Sequence, residues 1–101
     1  MNRLHELDLL ENYLQGNRIP YERIDVEPLK VKGEFMDQHQ IIVYADLEKR
    51  KRSWDAICQF GSYGYEEGLM EVMGAPVVRD EDGGSVCGYL TASEVIKRFE
   101  D

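Results

Sequence analysis

Apolar residues in the first segment of the chain recur every three or four positions. This spacing places their side chains on one face of a helix, so it predicts a helix over residues 3–15. Asn2 can cap the start of this helix, and Gly16 with Asn17 supplies a left-handed stop. The apolar positions are Leu4, Leu7, Leu10 and Leu14.

The middle of the chain changes from helical spacing to β-branched and alternating patterns. Residues 19–28 read IPYERIDVEP, and this composition predicts a short edge strand. Residues 28–38 contain Pro, Gly and mixed charge, which indicates an ordered connection or a binding loop. Two further strands are predicted at residues 39–45 and 52–59, separated by the charged turn DLEKRK.

These two strands are expected to pair in antiparallel order with Ala45 opposite Arg52. That register gives one apolar face and a second face that mixes flat apolar side chains with hydrogen-bonding groups. A slip of one residue would exchange the two faces of one strand. The expected cross-strand pairs are Val43 with Trp54, Ile41 with Ala56, and His39 with Cys58. The mixed face carries Gln40, Ile42, Tyr44, Ser53, Asp55, Ile57 and Gln59.

The C-terminal half is expected to begin with a short helix. Residues 65–74, YEEGLMEVMG, concentrate Leu, Met and Val before a glycine and a proline that stop a helix. Residues 76–79 and 85–90 are predicted to form a hairpin across DEDGG, because Asp-Gly and Gly-Gly accept positive φ.

Thr91 and Glu94 have capping-box spacing, which predicts a final helix in TASEVIKRF. The predicted order is then helix, three strands, helix, two strands and helix. It indicates an α+β fold, in which an antiparallel sheet of two hairpins and an edge strand is covered by about three helices. With 101 residues, 43% of them hydrophobic, the chain is expected to form a single domain over residues 1–101. The expected core is Leu4, Leu7, Leu10, Ile41, Val43, Trp54, Ala56, Leu69, Val72, Val86, Leu90, Val95, Ile96 and Phe99.

Acidic residues outnumber basic ones, with 20 Asp and Glu against 12 Lys and Arg and a formal net charge of −8. This balance disfavours direct binding to DNA or to anionic lipid. Four basic residues nevertheless form one run, Lys49 to Arg52, which could hold a phosphate. No apolar run is long enough to span a membrane and the N-terminus lacks the pattern of a signal peptide, so a cytoplasmic location is expected.

The stretch from Trp54 to Gly74 carries the strongest local signal for a binding surface. Its aromatic residues surround two closely spaced glycines, Gly61 and Gly64, at the junction of a predicted strand and a predicted helix. Glycines there let a ligand approach the backbone, but the motif lacks the Lys-Ser/Thr of a phosphate loop. Two interpretations remain open: a tight turn capped by Ser62 with its aromatics in the core, or a surface that stacks on a flat ligand or anchors a partner. The aromatic residues are Trp54, Phe60, Tyr63 and Tyr65.

His39 lies opposite Cys58 in the expected register. The two could form a nucleophilic pair, or a three-ligand metal site together with Cys87. A hydrogen-bonded histidine beside a buried thiol is the commoner arrangement, and two cysteines without CxxC spacing suit a reduced compartment, although a disulfide is left open. We therefore predict no catalytic residue, no metal and no cofactor, and a protein that is not an enzyme.

Three short motifs follow one another along the chain: W-D-x-I-C from Trp54, G-S-Y-G-Y-E from Gly61, and G-Y-L-T-A from Gly88. In this order the chain resembles small proteins carried by phages and prophages of gut Firmicutes, over roughly residues 38–99. That group has no assigned activity, so the resemblance carries over no catalytic residues. It implies a context, because short acidic cytosolic phage proteins are often inhibitors of bacterial defence.

Two functions of different classes fit this context. The first is a phage-encoded binding protein that inhibits a bacterial defence system by binding a host protein, and the net charge of −8 supports it. The alternative is an oligomeric protein that sequesters a nucleotide immune messenger, with rings stacked on a base and the basic run on phosphate. A homo-oligomer is left open, and no membrane partner is expected. The expected binding residues are Trp54, Asp55, Gln59, Ser62, Tyr63, Tyr65, Arg50 and Arg52.

Overall fold

A computed structural model describes residues 4–31, 34–59, 61–75, 77–79 and 82–100. A first helix and a five-stranded antiparallel sheet are followed by a second helix at the end of the chain. A single 3-10 turn, Tyr65–Glu67, separates the third strand from the fourth. The helices are α1 (His5–Gly16) and α2 (Ala92–Glu100), and the strands are β1 (Tyr21–Val31), β2 (Glu34–Tyr44), β3 (Arg52–Ile57), β4 (Met70–Met73) and β5 (Val86–Leu90).

The strands follow one another across the sheet in the order β1-β2-β3-β4-β5, and each pairs antiparallel with the next. The predicted α+β class and antiparallel sheet are confirmed, and β1 lies at an edge as predicted. Within the described part of the chain the helices number two instead of about three. The strands form one continuous meander instead of two hairpins and a separate edge strand.

The predicted connection over residues 28–38 is wrong, because this segment continues the sheet. β1 and β2 are each 11 residues long, and their pairing extends to the last residue of β1. Pro28 falls where the register shifts between Val26 and Leu29. A bulge on an edge strand accepts a residue without an N–H donor, so the proline interrupts the ladder without ending the strand. Positions 32 and 33 lie outside the described residues.

The predicted helix over residues 65–74 is also wrong. Its first part is the 3-10 turn, and Gly68 then adopts a left-handed conformation, at φ 73°, that ends the helical hydrogen bonding. The following residues alternate instead of keeping a helical period, since Val72 is buried and its neighbour Met73 is exposed. They form β4, which replaces residues 76–79 as the strand that pairs with β5.

The register of β2 and β3 gives the two faces expected from the sequence. A pairing irregularity at one end places Tyr44, and not Ala45, opposite Arg52. At the other end the Cys58 N–H donates to the His39 carbonyl oxygen at 3.0 Å. Between them the confirmed pairs are Val43 with Trp54 and Ile41 with Ala56.

The core lies between one face of the sheet and the two helices. Trp54 is its largest fully buried side chain, and its ring centroid lies 5.4 Å from that of Phe99 on α2. Leu69 and Val86, which the sequence predicts in the core, are half-buried outside it, because β4 turns Met70 inward and β5 turns Val86 to the opposite face. The buried cluster is Leu7, Leu10, Leu14, Ile41, Val43, Trp54, Ala56, Met70, Val72, Val77, Leu90, Ala92 and Val95, with Leu4, Ile96 and Phe99 packed against it.

The predicted helix ends are confirmed in part. Thr91 and Glu94 form a capping box, in which the Glu94 N–H donates to Thr91 Oγ1 at 3.2 Å and the Thr91 N–H donates to Glu94 Oε1 at 3.0 Å. α1 ends at Gly16, but the left-handed residue beyond it is Arg18, at φ 56°, instead of the Gly-Asn pair. Asn2 lies outside the described residues.

A charged cluster joins α1 to β1. The Arg23 guanidinium lies 2.7 Å from Asp8 Oδ1 and 3.0 Å from Glu11 Oε1, and its Nε lies 3.2 Å from Asp25 Oδ2. His39 Nδ1 lies 2.5 Å from Asp25 Oδ1. Only 14% of the Arg23 side chain is exposed, so these ion pairs are less screened by water than ordinary surface pairs.

A second ion pair joins the turn before β5 to α2. The Arg98 guanidinium donates to both carboxylate oxygens of Asp82, at 2.8 and 3.0 Å, and to the Val77 carbonyl oxygen at 2.8 Å. The Arg79 N–H donates to Asp82 Oδ2 at 2.7 Å. The hydrogen bonds from Arg98, and after them the one from Arg79, lower the pKa of Asp82 from 3.8 to about 2.

Replacing Asp82 with Asn should remove a stabilising interaction that is present only above acidic pH. The Asp82 carboxyl has a pKa of 3.8 in the unfolded chain and about 2 in the folded one, so falling pH protonates the unfolded chain first. The stabilisation is complete above about pH 4 and is lost as the pH falls toward about 2. Urea unfolding should show Asp82→Asn to be less stable than the original protein at neutral pH, with the difference closing below about pH 4.

Glu48→Gln is the matched control for this measurement. Glu48 is 68% exposed and lies 3.6 Å from Arg50, a geometry in which an ion pair contributes little. Its removal should leave the unfolding curve nearly unchanged at every pH. If the stability difference for Asp82→Asn stayed constant into the acid range, the role given to this ion pair would be wrong.

Candidate functional site

The face of the sheet that points away from both helices forms the candidate site, and we call it the open face. Its residues alternate with the buried core positions along each strand. Ile24 and Val26 of β1 remain 36% and 37% exposed, and Met73 of β4 remains 51% exposed. The open face consists of Glu22, Ile24, Val26, Gln38, Gln40, Ile42, Tyr44, Asp55, Ile57, Glu71, Met73 and Val86.

The centre of the open face is apolar, and polar pairs surround it. Ile42 is buried although it points away from the core, and it lies between Glu22 on β1 and Asp55 on β3. The Gln40 amide donates to Asp55 Oδ2 at 2.8 Å, and the Tyr44 hydroxyl donates to Glu22 Oε1 at 3.1 Å. The polar side chains around Ile42 therefore satisfy one another while their apolar stems cover it.

The turn that follows β3 is held by Ser62. The Ser62 N–H and hydroxyl both donate to the Gln59 carbonyl oxygen, at 2.8 and 2.7 Å, and the Gln59 N–H donates to Ser62 Oγ at 3.0 Å. Gly61 and Gly64 have φ of 89° and 96°, in the left-handed region that glycine adopts at little cost. The Ser62 hydroxyl is thus engaged within the turn.

This turn packs against β5 through Gly88. A Cβ atom at position 88 would lie 2.4 Å from Tyr63 Cβ, which is closer than real Cβ atoms approach. The Tyr63 N–H donates to Glu71 Oε1 at 3.1 Å, and the Tyr89 N–H donates to the Tyr63 carbonyl oxygen at 3.4 Å. Because Glu71 belongs to the open face, the turn occupies one corner of that face.

Tyr63 and Tyr89 form an exposed stacked pair at this corner. Their ring centroids are 6.3 Å apart with 26° between the planes, and the residues are 59% and 58% exposed. Tyr89 has a φ of 60°, a left-handed conformation that costs a non-glycine residue about 1 kcal/mol. Large rings held in a fixed orientation lose little entropy on binding, which is why tyrosines often anchor protein interfaces.

Two of the predicted binding residues, Asp55 and Tyr63, lie on the same side of the sheet as the open face. Gln59 and Ser62 lie in the turn that connects them, where Ser62 serves the turn itself. Tyr65 is half-buried at the start of the 3-10 turn. The turn is therefore both a structural element, as the first interpretation predicts, and the support of an exposed aromatic pair.

Trp54, predicted both as a core residue and as a binding residue, belongs to the core alone. It is 1% exposed, so its assignment to the binding surface is wrong. The strand alternation that turns Asp55 outward turns its neighbour Trp54 inward. Phe60, the remaining aromatic of the stretch, lies outside the described residues.

The predicted basic residues lie at the opposite end of the sheet from the tyrosine pair. Arg50 stands in the turn between β2 and β3, where Asp46 Oδ1 accepts its backbone N–H at 2.9 Å. Arg52 begins β3 beside Tyr44, whereas the turn that carries Tyr63 follows the end of β3. The strand between them spans roughly 16–20 Å. A ligand that used both groups would have to cross the whole open face.

His39 and the two cysteines have structural surroundings. His39 is paired with Asp25, Cys58 is fully buried, and both cysteines are free thiols. Burial raises the pKa of the Cys87 thiol, which favours its uncharged and less nucleophilic form. Nowhere in the described ranges are three His, Cys, Asp or Glu side chains grouped so that they could hold a metal ion. The absence of a catalytic thiol stays a prediction.

The residues of this site that the sequence does not predict include Glu71, Met73 and Tyr89. Glu71 and Met73 fall in the segment predicted as a helix. A helix prediction does not place them on the same face of the sheet as Asp55. For Tyr89 the one available signal is Gly88 before it, because a glycine inside a strand indicates close approach of another segment. Its positive φ has no sequence signal.

Comparison of the chain with protein-family models, with curated proteins and with solved structures finds no match in any of the three. None of the helices in the described part of the chain is long and apolar enough to cross a membrane. The function is therefore inferred from the geometry and charge of the open face.

Replacing Gly88 with Ala should displace the turn that carries Tyr63. The added methyl group would meet Tyr63 Cβ at 2.4 Å, and the backbone of the turn must shift to relieve this contact. We expect a loss of about 1–3 kcal/mol in the free energy of unfolding, as for other overpacked sites. Urea unfolding measures this loss, and the NMR chemical shifts of Tyr63 report the movement of the turn.

Gly84→Ala is the control, because no atom lies within 4 Å of a Cβ built at that position. Its unfolding free energy should change by less than about 0.5 kcal/mol. Equal effects of the two substitutions would show that the contact between position 88 and Tyr63 does not support the turn.

Proposed function

We propose that this chain is a non-enzymatic binding protein, encoded by a phage, that inhibits a bacterial defence system in the host cytoplasm by binding a host protein. The open face and its tyrosine pair form the binding surface. One observation carries the proposal: both helices pack on the core face of the sheet, while Ile24, Val26 and Met73 stay exposed on the other.

The composition of the open face suits a protein partner. Small-molecule sites are concave and bury most of the ligand, whereas the open face is the surface of a sheet. Protein interfaces combine aromatic residues and methionine at the centre with a polar rim. On this surface the aromatic residues are Tyr63 and Tyr89, and the methionine is Met73. Glu22 and Gln38 are polar residues at its edge.

The charge of the open face indicates a basic partner. Three acidic residues lie on this face: Glu22, Asp55 and Glu71. The basic residue Arg52 lies at the end of the face, beside Tyr44. With a net charge of −8 on the whole chain, the field of the protein attracts a positively charged surface and accelerates encounter with it. A nucleic-acid channel of a defence complex has this character, and the resemblance to phage proteins supports that context.

The nucleotide-sequestering alternative receives less support from the geometry. A base would stack on the tyrosine pair, and its phosphate would need a cation nearby. The two rings already stack on each other, and the basic run lies at the far end of β3. We therefore favour the protein partner, and a melting shift with cyclic or ADP-ribose nucleotides would reverse that choice.

The proposal is tested by photocross-linking in a bacterium whose defence the protein suppresses in a phage-plating assay. A photoreactive phenylalanine analogue replaces Met73 on the open face, and in a control protein it replaces Leu9 on α1, which is 41% exposed. One component of the defence system should cross-link at position 73 and not at position 9. Failure to restore plating against a panel of defence systems, or cross-linking of that component only at position 9, would contradict the proposal.

Truncating Tyr63 to Ala should weaken binding to the cross-linked partner by about 1–3 kcal/mol, as expected for the loss of an interface anchor. Its ring is largely exposed and its backbone hydrogen bonds remain, so the free energy of unfolding should change by less than about 1 kcal/mol. Calorimetry on the purified pair and urea unfolding of the free protein measure the two effects.

Leu47→Ala controls for the loss of any exposed apolar side chain, since Leu47 is 83% exposed in the turn between β2 and β3. This substitution should change neither the affinity for the partner nor the free energy of unfolding. If Tyr63→Ala lowered stability strongly while the affinity per folded molecule stayed the same, the tyrosine would be a structural residue and not a binding residue.

A further inference from the structure

We propose that β1 pairs with β1 of a second copy of this chain, antiparallel and about a two-fold axis at Ile24, so that two sheets join into one of ten strands. This proposal concerns self-association and does not rest on the proposed function. It is carried by the free backbone groups of β1 and by the charges beside them.

The backbone groups that face the free edge follow from the hydrogen bonding on the other side of β1. The Tyr44 N–H of β2 donates to the Pro20 carbonyl oxygen at 2.9 Å, so Pro20 and Tyr44 form a hydrogen-bonded pair of the β1–β2 ladder. In an antiparallel ladder every second pair is hydrogen-bonded in this way, and the residues between them turn their N–H and C=O groups away. On β1 the residues turned away from β2 are Tyr21, Arg23 and Asp25.

The two edge strands differ in whether another segment of the chain bonds to their backbone. At β5 the turn after β3 supplies the Tyr63 carbonyl oxygen to the Tyr89 N–H and packs against Gly88. At β1 no turn, loop or helix in the described ranges bonds to the backbone of Tyr21, Arg23 or Asp25. An uncovered edge of this kind is a template for another strand.

The charges on β1 select one register. With the two-fold axis at Ile24, Arg23 of each copy lies opposite Asp25 of the second copy, and both residues point their backbone groups toward the seam. An axis at Arg23 or at Asp25 would instead place like charges directly opposite, which is destabilising. The bulge and Pro28 after Val26 end the stretch that can pair, so the seam covers residues 21–26.

One donor of the Arg23 guanidinium is unmet within a single copy of the chain. The Arg23 Nε is buried and makes no hydrogen bond within the described chain, although it lies 3.2 Å from Asp25 Oδ2. Asp25 has a side chain that is 47% exposed. A second Asp25, brought opposite Arg23 by the proposed register, places another acceptor beside the guanidinium.

The same register extends the open face. Ile24 lies opposite Ile24 of the second copy, and Val26 lies opposite Glu22 of the second copy, all on that face. The exposed apolar side chains of β1 would then cover one another. Two features weaken the dimer. Each copy has a net charge of −8, so the copies repel each other. Asp8 and Glu11 already bind Arg23 from the helix side. A seam of six residues per chain therefore gives a weak dimer.

Sedimentation equilibrium from about 10 µM to about 1 mM should show a monomer–dimer equilibrium, the range expected for a small interface. Ile24→Glu places two carboxylates opposite each other at the axis, and it should raise the dissociation constant about tenfold or more. Met73→Glu adds the same charge to the open face about 14 Å from β1, three strands away, and it should leave the constant unchanged within about twofold.

A cysteine scan tests the register itself, in a Cys87→Ser background where Cys58 is buried. Two Ile24→Cys residues would face each other in a non-hydrogen-bonded pair, with Cα atoms about 4.5 Å apart, a distance that a disulfide spans. Two Glu22→Cys residues would be about 13 Å apart along the seam and out of reach. Mild oxidation should cross-link the first protein rapidly and the second slowly.

Three results would overturn the proposal. These are a protein that stays monomeric over the whole concentration range, equal cross-linking rates for the two cysteine variants, and equal dissociation constants for Ile24→Glu and Met73→Glu. None of these measurements involves a host partner. A failure here therefore leaves the binding of a defence protein to be decided by the cross-linking at Met73, and the reverse also holds.

Discussion

The structure depends on one constraint: two short helices must cover one face of a five-stranded sheet. Five strands at about 4.8 Å spacing make a sheet about 19 Å wide, and two helices packed about 10 Å apart cover that width once. α1 and α2 do so on a single face, and the buried core consists of that face together with the helices and Val77. The opposite face receives no helix in the described part of the chain, so its side chains must be compatible with water.

The chain meets this requirement with local pairing. Hydrogen bonds from Gln40 to Asp55 and from Tyr44 to Glu22 keep polar groups satisfied around Ile42, which is buried without a second layer above it. The turn after β3 then occupies the corner over β5, where Gly88 admits it closely. Among the described residues, the apolar and aromatic side chains that remain exposed on this side of the sheet are Ile24 and Val26 on β1, Met73 on β4 and the tyrosine pair, and from these we infer association.

Sequence patterns predicted the parts of the fold that local physics decides. The leucine spacing of α1, the capping box of α2 and the alternation around Trp54 each have one dominant interpretation, and the pairs of β2 with β3 followed from it. The errors fall where pairing with a neighbouring strand overrides composition. Residues 28–38 carry Pro and Gly, yet Pro28 lies at a bulge on the edge strand β1, where the sheet tolerates it. Met and Glu favour helix in residues 69–73, but β3 and β5 draw this segment into the sheet. The candidate site was predicted only in part for the same reason: Asp55 and Tyr63 follow from local pattern, whereas Glu71, Met73 and Tyr89 join them through β4.

The β1 edge and the tyrosine pair lie at opposite edges of the sheet, and their separation has a consequence for binding. β1 and β5 are four strand spacings apart, so the tyrosine pair lies about 19 Å from the β1 edge. In a dimer joined at β1 the two pairs would stand about 43 Å apart, nine spacings across the joined sheet, and on the same face. Such a dimer presents two identical acidic and aromatic corners to one side, and a target with repeated basic sites could engage both. Avidity from two weak contacts then replaces the need for one tight contact. A short chain gains from this arrangement, because the second copy doubles the binding surface while each copy keeps the same small core.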